Sequence, residues 1–199
     1  MRNRFHRALQ AMVRLFTGFL FLICGQTSLG QSYSIILGRP TQSSVTLSFL
    51  FDADADFFIE YGESKGNYPL KSATYSLQVG KTSEILLAGL SKNTRYYYRV
   101  KYKKVSAGSY LASPEYNFHT QRDKGSTFSF TVESDEHMYD KKGVRSMYLV
   151  TLNNQALDQP DFMFSLGDIF GDDHYPTTIT SEEVDALHKD YRQYLGTIC

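Results

Sequence analysis

Residues Phe128 to His174 read FSFTVESDEHMYDKKGVRSMYLVTLNNQALDQPDFMFSLGDIFGDDH, a stretch in which two hydrophobic runs each end on acidic residues. The first run, Phe128–Val132, leads into Asp135-Glu136-His137. The second run, Phe162–Leu166, leads into Gly167-Asp168. Each run has the length and aromatic content of a β-strand, so the stretch predicts two strands with metal-ligand residue types at both strand exits.

The segment between the two runs has helical spacing. Its apolar residues recur at intervals of three and four, as expected for an amphipathic helix: Val144, Met147, Tyr148, Leu152 and Ala156. Pro160 ends this helix because proline cannot continue a helical backbone. A second helix is predicted to start at the capping box Thr180-Ser-Glu-Glu183 and to end at Gly196. Its predicted apolar face consists of Val184, Leu187, His188, Tyr191 and Leu195. Residues 126–199 are therefore predicted to be of the α/β class.

A strand–helix–strand unit places its two strands in parallel, with a right-handed crossover in nearly all cases. The carboxyl ends of parallel strands open on the same edge of a sheet, so Asp135, His137 and Asp168 are expected to converge. In an extended segment Asp135 and His137 would also face the same side. Mixed oxygen and nitrogen ligands suit Mn, Fe or Zn better than Mg or Ca. The alternative is a unit with polar strand ends and no metal. Glu136 is either an exposed spacer, which we favour, or an acid behind the ligands.

Residues 32–120 have a β pattern throughout. Runs with period-2 alternation, such as Val45–Phe51 and Tyr96–Tyr102, are separated by turns at regular intervals. About seven short strands of this kind predict a β-sandwich. The polar residues 121–125 (QRDKG) are the predicted linker to the α/β part.

The first thirty residues resemble a secretory signal peptide. They contain four arginines and no acid, followed by an apolar core from Leu15 to Ile23. A membrane anchor is the alternative, but a spanning helix needs roughly 20 apolar residues. Lipid attachment at Cys24 is disfavoured by the bulky Ile23. We therefore expect a secreted or periplasmic protein with no membrane association once residues 1–30 are removed.

Charge and cysteine content narrow the function classes further. The whole chain has 21 basic and 21 acidic side chains, so removing the four N-terminal arginines leaves 17 against 21, a net charge of −4. A mildly acidic chain gives no electrostatic reason to bind nucleic acid. Only Cys199 remains beyond the signal, so folding is expected to rest on core burial, not on an internal disulfide.

The segment Leu90-Ser-Lys-Asn-Thr-Arg-Tyr96 resembles the fibronectin type III pattern that leads into a tyrosine corner. This resemblance implies that the Tyr96 hydroxyl bonds back to the backbone of the preceding turn. Two departures are visible: Lys92 stands where the pattern usually has proline, and the chain has no tryptophan. Phe49 is expected to fill the tryptophan position. Of Tyr96, Tyr97 and Tyr98, we expect two core residues and one exposed residue.

Asp135-Glu136-His137 and Gly167-Asp168 resemble the Asp-x-His and Gly-Asp motifs of calcineurin-type metallophosphoesterases. The resemblance implies an α/β/β/α sandwich domain, with Asp135 and His137 on one metal ion and Asp168 bridging to a second. The ions would be Fe, Mn or Zn, and the substrate a small phosphate ester. A sandwich before this unit is similar to the purple acid phosphatases, although Gly171 replaces their usual tyrosine.

The family's Gly-Asn-His motif does not occur in these 199 residues. The resemblance therefore implies an N-terminal portion with half of the two-metal site and no catalytic activity alone. His174 either lies in a solvated loop or supports the site together with Asp172. His119 is expected to be a packing or surface residue, and His188 is expected to lie next to the core. The competing function is a secreted adhesion or docking module followed by a non-catalytic α/β remnant.

Overall fold

Nine short strands, with side chains that alternate between two faces, form the first part of the structure. The structure is a computed structural model, and it describes residues 32–140, 143–170 and 179–196. The strands are β1 (Tyr33–Gly38), β2 (Ser44–Phe51), β3 (Ala55–Gly62), β4 (Leu70–Lys71), β5 (Tyr75–Leu77), β6 (Thr82–Ala88), β7 (Arg95–Lys104), β8 (Leu111–Ala112) and β9 (Tyr116–His119). They form a three-stranded sheet, β1-β2-β6, and a six-stranded sheet built around β3 and β7. All the pairings are antiparallel. The predicted β-sandwich is present, with more strands than the sequence pattern indicated.

Aromatic side chains fill the space between the two sheets. The rings of Phe49 on β2 and Phe57 on β3 lie 4.6 Å apart between centroids, and both side chains are fully buried. Phe49 therefore occupies the core, as predicted. Tyr96 and Tyr98 are buried and Tyr97 is half-buried, which follows from the period of two along β7.

The tyrosine corner is confirmed. The Ser91 backbone N–H donates to the Tyr96 hydroxyl oxygen at 2.9 Å. The Tyr96 hydroxyl donates in turn to Glu63 Oε1 at 3.1 Å. A buried phenol therefore satisfies the backbone of the turn that precedes its own strand, as the fibronectin type III resemblance implied.

A parallel strand–helix–strand unit follows the sandwich. It comprises β10 (Phe130–Glu133), α1 (Arg145–Leu157) and β11 (Phe162–Ser165). The strands pair from Phe130 opposite Phe162 to Glu133 opposite Ser165, in parallel as predicted. The helix α2 (Ser181–Leu195) comes later in the chain.

The prediction of the apolar face of α1 is confirmed only in part. Tyr148 and Leu152 are buried, but Val144 and Met147 are 56% and 60% exposed. The described sheet beneath α1 has two strands, and this narrow surface covers only the central part of the apolar face.

Helix α2 begins as predicted and ends for a different reason. Thr180 and Glu183 form the capping box, with bonds of 3.2 Å and 2.7 Å between each side chain and the other's backbone N–H. Gly196 is the C-cap, but its φ of −67° is ordinary right-handed backbone. A Cβ at Gly196 would lie 2.8 Å from the Ser34 Cβ, so glycine is needed there for the close approach of the helix end to β1. His188, predicted on the apolar face, is exposed and packs edge-on against the Phe170 ring.

The predicted linker 121–125 contains no strand, and its Arg122 binds the α/β part. Arg122 Nε lies 2.9 Å from both carboxylate oxygens of Asp161, just before β11. Arg192 of α2 makes a second connection, donating to the Ser34 and Ser48 hydroxyls of β1 and β2 at 2.8 Å and 3.1 Å. The sandwich and the α/β part accordingly belong to one compact unit, Tyr33–Cys199.

One face of the β10–β11 sheet is open. Its six large apolar side chains are 37% to 71% exposed: Phe128, Phe130, Val132, Phe162, Phe164 and Leu166. We call this set the open face. Within the described residues, no helix is both long and apolar enough to cross a membrane. The predicted signal peptide, residues 1–30, lies outside the described part of the chain.

Candidate metal centre

The loops that follow β10 and β11 run side by side beyond the strand ends. Backbone N–H groups of the first loop donate to carbonyl oxygens of the second at 3.0–3.3 Å. The pairs are Asp135 with Gly167, His137 with Asp168, Met138 with Ile169, and Tyr139 with Phe170. This ladder fixes the two predicted strand exits against each other.

All three predicted ligands have left-handed backbone conformations. The φ angles are 60° at Asp135, 47° at His137 and 56° at Asp168. Such values are uncommon outside glycine, and they tend to cluster where a site imposes a geometry on the chain. The sequence argument placed Asp135 and His137 in an extended segment, and this was wrong, because β10 already ends at Glu133. Tight left-handed turns bring the two side chains together instead.

The structure brings the three predicted ligands together. One ligand atom from each of Asp135, His137 and Asp168 lies within 4.8 Å of the other two. His137 Nε2 is 3.9 Å from Asp135 Oδ1. Both carboxylates are exposed, whereas the His137 side chain is 18% exposed. Oxygen and nitrogen ligands bind zinc at about 2.0–2.2 Å, so three donors within 4.8 Å of one another are close enough to supply three ligands to one ion.

Sequence reasoning missed Asp140, which holds the other side of the His137 ring. His137 Nδ1 lies 2.7 Å from Asp140 Oδ2, and the Asp140 side chain is only 3% exposed. Asp140 Oδ1 also accepts the Gly143 backbone N–H at 3.2 Å. The available signal was an acid three residues after a candidate histidine ligand, followed by glycine.

A buried polar cluster lies behind the two loops. The Tyr148 hydroxyl donates to Glu133 Oε1 at 2.8 Å, and Gln155 Nε2 donates to Glu133 Oε2 at 3.0 Å. Burial raises the pKa of Glu133 above its usual range, while these hydrogen bonds act in the opposite direction. Burial likewise raises the pKa of Tyr148 and of Tyr191. The cluster ties β10 to both helices.

Glu136 belongs to this buried side, so the favoured spacer interpretation was wrong. Its Oε1 accepts from the Tyr191 hydroxyl at 3.3 Å and from the Ser165 hydroxyl at 3.4 Å. The residues on either side of Glu136 both have left-handed backbone.

The remaining candidates are His119, His174 and Asp172. His119 is on β9, where its Nδ1 lies 2.6 Å from the Thr120 carbonyl oxygen. His174 and Asp172 lie outside the described residues. In the described part of the chain, Asp135, His137 and Asp168 are the one group of three or more such side chains close enough to hold an ion.

Residues 31–120 match the family model of the purple acid phosphatase N-terminal domain. This match covers the whole β-sandwich. The chain therefore carries an N-terminal domain of the purple acid phosphatase type, as the sequence resemblance suggested.

Two solved structures share the fold of a larger part of the chain. The structure of PhoD is 19% identical, with a TM-score of 0.58 over 83% of this chain and 36% of that chain. The purple acid phosphatase PPD1 from yellow lupin (Lupinus luteus) seeds is 16% identical, with a TM-score of 0.54 over 81% of this chain and 32% of that one. This chain thus spans about a third of the length of these relatives. No curated protein gives a significant match.

Proposed function

We propose that this chain is part of a metal-dependent phosphoester hydrolase of the calcineurin type, in which Asp135, His137 and Asp168 hold a metal ion. The observation that carries the proposal is the convergence of these side chains from two strand exits, with ligand atoms within 4.8 Å. The likeness to PhoD supports it, because the aligned 83% of the chain extends beyond the sandwich into the strand–helix–strand unit. The catalytic activity of a complete enzyme is part of the proposal, because the chain spans only about a third of these relatives.

The chemistry of the donor set fits a first-row metal ion. Two carboxylates and an imidazole favour Mn, Fe or Zn over Mg or Ca. Asp168 has a second carboxylate oxygen, which suits it to the bridging position that the family resemblance implies. Such ions supply Lewis-acid polarisation of a phosphoryl oxygen. The chain's own residues contribute three donors, and in this proposal they form half of a two-ion site.

The proposed setting is outside the cytoplasm, either secreted or periplasmic. Its support is the basic and then apolar pattern of residues 1–30. The proposed substrate is a small phosphate ester, with neither nucleic acid nor a membrane as partner.

A docking module is the second candidate function. It is supported by the outer face of the larger sheet, where cations lie over aromatic rings. Lys71 Nζ is 3.7 Å from the Phe58 ring centroid, and the Arg99 guanidinium is 4.7 Å from the Tyr68 centroid. A binding surface of this kind would work without the metal ligands.

Metal binding by the full chain distinguishes the two functions. Isothermal titration with Mn²⁺ or Zn²⁺ is expected to show one ion per chain, and Asp168→Asn is expected to weaken binding at least about 10-fold, since one of three ligands loses its charge. Asp158→Asn is the matched control, because this exposed carboxylate at the end of α1 lies outside the site. Equal affinities for the wild-type, Asp168→Asn and Asp158→Asn chains would reject the proposed site. Hydrolysis of p-nitrophenyl phosphate by the same three proteins then tests activity separately.

A further inference from the structure

We propose that Asp140 is a positioning residue that fixes the His137 imidazole with Nδ1 protonated and Nε2 directed at the candidate metal centre. The inference rests on the proposed function for its metal, but the orientation of the ring is a property of the chain alone. Asp140 lies outside the group of three candidate ligands, and its carboxylate contacts the nitrogen of His137 that faces away from Asp135.

The contact has the geometry of a strong charge-assisted hydrogen bond. The distance from His137 Nδ1 to Asp140 Oδ2 is 2.7 Å, and the Asp140 side chain is 3% exposed. An ionised carboxylate only accepts hydrogen bonds, so the proton of this bond belongs to Nδ1. The neutral ring then presents the lone pair of Nε2, which is the atom 3.9 Å from Asp135 Oδ1.

The backbone of Gly143 helps to keep the Asp140 carboxylate in place. Asp140 Oδ1 accepts the Gly143 backbone N–H at 3.2 Å. A Cβ at Gly143 would lie 2.0 Å from the His137 carbonyl oxygen and 2.8 Å from that of Glu136. Only glycine permits this approach, so Gly143 brings the chain back onto the backbone of His137 and anchors the carboxylate that orients the ring.

Asp135 and Glu136, which precede His137 in the chain, have other roles in the loop. Asp135, on the Nε2 side, is 65% exposed and is itself a proposed ligand. The Glu136 side chain faces Tyr191 and Ser165. Asp140 is a buried carboxylate that meets His137 on its Nδ1 side.

A carboxylate behind a histidine ligand has two consequences for metal binding. It fixes the tautomer, so no free energy is lost in selecting the ring form that can coordinate, and it makes the coordinating nitrogen a stronger donor. Removal of such a partner typically lowers metal affinity about 10–100-fold. The same range is expected here for the loss of Asp140.

The first test observes the tautomer without metal. Nitrogen-15 NMR of the imidazoles in the full, metal-free chain at pH 8 is expected to show His137 with Nδ1 protonated. An unconstrained histidine favours the Nε2–H form, so Asp140→Ala is expected to shift His137 towards that form. Asp158→Asn is the control and should leave the spectrum unchanged. A wild-type His137 with Nε2 protonated, or a tautomer unchanged in Asp140→Ala, would overturn the proposal.

Two further variants keep the proposal testable if Asp140→Ala does not fold. Asp140→Asn keeps the size of the side chain and is expected to weaken the preference for the Nδ1–H form. Gly143→Ala leaves Asp140 intact but forces the loop away from His137, so it should shift the tautomer in the same direction as Asp140→Ala. If the His137 tautomer is unchanged in a folded Asp140→Asn or Gly143→Ala variant, that result would count against the proposed role of Asp140.

Metal titration then links the ring orientation to the site. Asp140→Ala is expected to bind Mn²⁺ or Zn²⁺ about 10–100-fold more weakly than the wild type. If the wild-type chain binds no ion, the proposed function fails, while the tautomer measurement still decides the role of Asp140. If the tautomer shifts but affinity is unchanged, Asp140 has no positioning role for metal binding and the inference is rejected.

Discussion

The sandwich and the α/β part of this chain are built from similar hydrophobic residues but are buried to very different extents. The sandwich core is a single cluster of seventeen buried residues between two sheets. Among its described residues, the α/β part has a cluster of four: Met138, Tyr148, Leu152 and Tyr191. The phenylalanines of the sandwich are inside, whereas those of the β10–β11 sheet form the open face.

This difference places the candidate metal centre on the less buried part of the molecule. Stability within one protein varies with local burial, and regions with few apolar contacts open more readily. The α/β part compensates with polar contacts, including the Glu133 cluster and the Arg192 bonds to β1 and β2. We therefore expect the sandwich to determine global stability, and the α/β part to open first.

The largest expected effect on stability comes from creating a cavity in the sandwich core. Phe57→Ala removes a fully buried ring and should lower the free energy of unfolding by about 3–5 kcal/mol. Leu152→Ala, at an equally buried position in α1, should instead increase local opening of the α/β part. Amide hydrogen exchange would show faster exchange throughout the chain for Phe57→Ala, and mainly beyond Ser126 for Leu152→Ala. Faster exchange of β2 and β3 amides in Leu152→Ala would contradict the comparison.

Loss of the tyrosine corner should be the next largest effect. Tyr96→Phe keeps the ring but removes the acceptor of the Ser91 N–H and the donor to Glu63. An unpaired backbone group of this kind costs about 1–2 kcal/mol, measurable by urea denaturation. Tyr97→Phe changes the half-buried neighbour and serves as the control. Equal losses in the two variants would show that the corner has no special role.

The Arg122–Asp161 pair connects the two parts and should make stability depend on acid pH. Burial alone would raise the pKa of Asp161, but the Arg122 guanidinium and the Ser129 N–H outweigh it and lower the pKa below the ordinary 3.8. A carboxyl whose folded pKa is depressed stabilises the fold above its unfolded pKa and loses that contribution as pH falls through the folded value.

Asp161→Asn should therefore cost about 1 kcal/mol at pH 7 and flatten the loss of stability below pH 3.8. Thermal melts between pH 2.5 and pH 7 measure both changes. Asp52→Asn, which removes the exposed partner of Lys104, is the matched control and should change little. Identical pH profiles for Asp161→Asn and the wild type would exclude the pair as a stabilising link.

The same difference in burial explains what could be predicted from the sequence. Period-2 alternation predicted the sandwich because two facing sheets bury every second residue along strands such as β7. The capping box predicted the start of α2 because that signal is local. The apolar face of α1 was overestimated at Val144 and Met147, since the extent of burial depends on how wide a sheet lies beneath the helix.

The candidate ligands were predicted correctly as a converging group, but for a partly wrong reason. Parallel strand exits do bring Asp135, His137 and Asp168 together. Their left-handed backbone and the role of Asp140 depend on how two loops pair with each other, which no pattern within one segment reveals. Gly196 is a similar case. Glycine is needed at this position because of the contact with Ser34, which is far away in sequence, so the local pattern could not reveal the reason.

The smallest expected effect on stability concerns the open face. Phe130 is 50% exposed, and its ring contacts are with Phe128, Phe162 and Phe164 on the same face. Threonine fits a strand well, so the double variant Phe130→Thr and Phe164→Thr should lower the free energy of unfolding by no more than about 1 kcal/mol.

The same variant should have a large effect on association. A contiguous group of six exposed apolar side chains favours contact with other molecules, whereas a single exposed one does not. Light scattering and sedimentation are therefore expected to show less self-association in the double variant. Leu86→Thr is the control, because Leu86 is 60% exposed on the sandwich and lies outside the open face. If Leu86→Thr reduces association as much as the double variant does, exposed apolar area in general, not the open face, governs the solution behaviour of the chain.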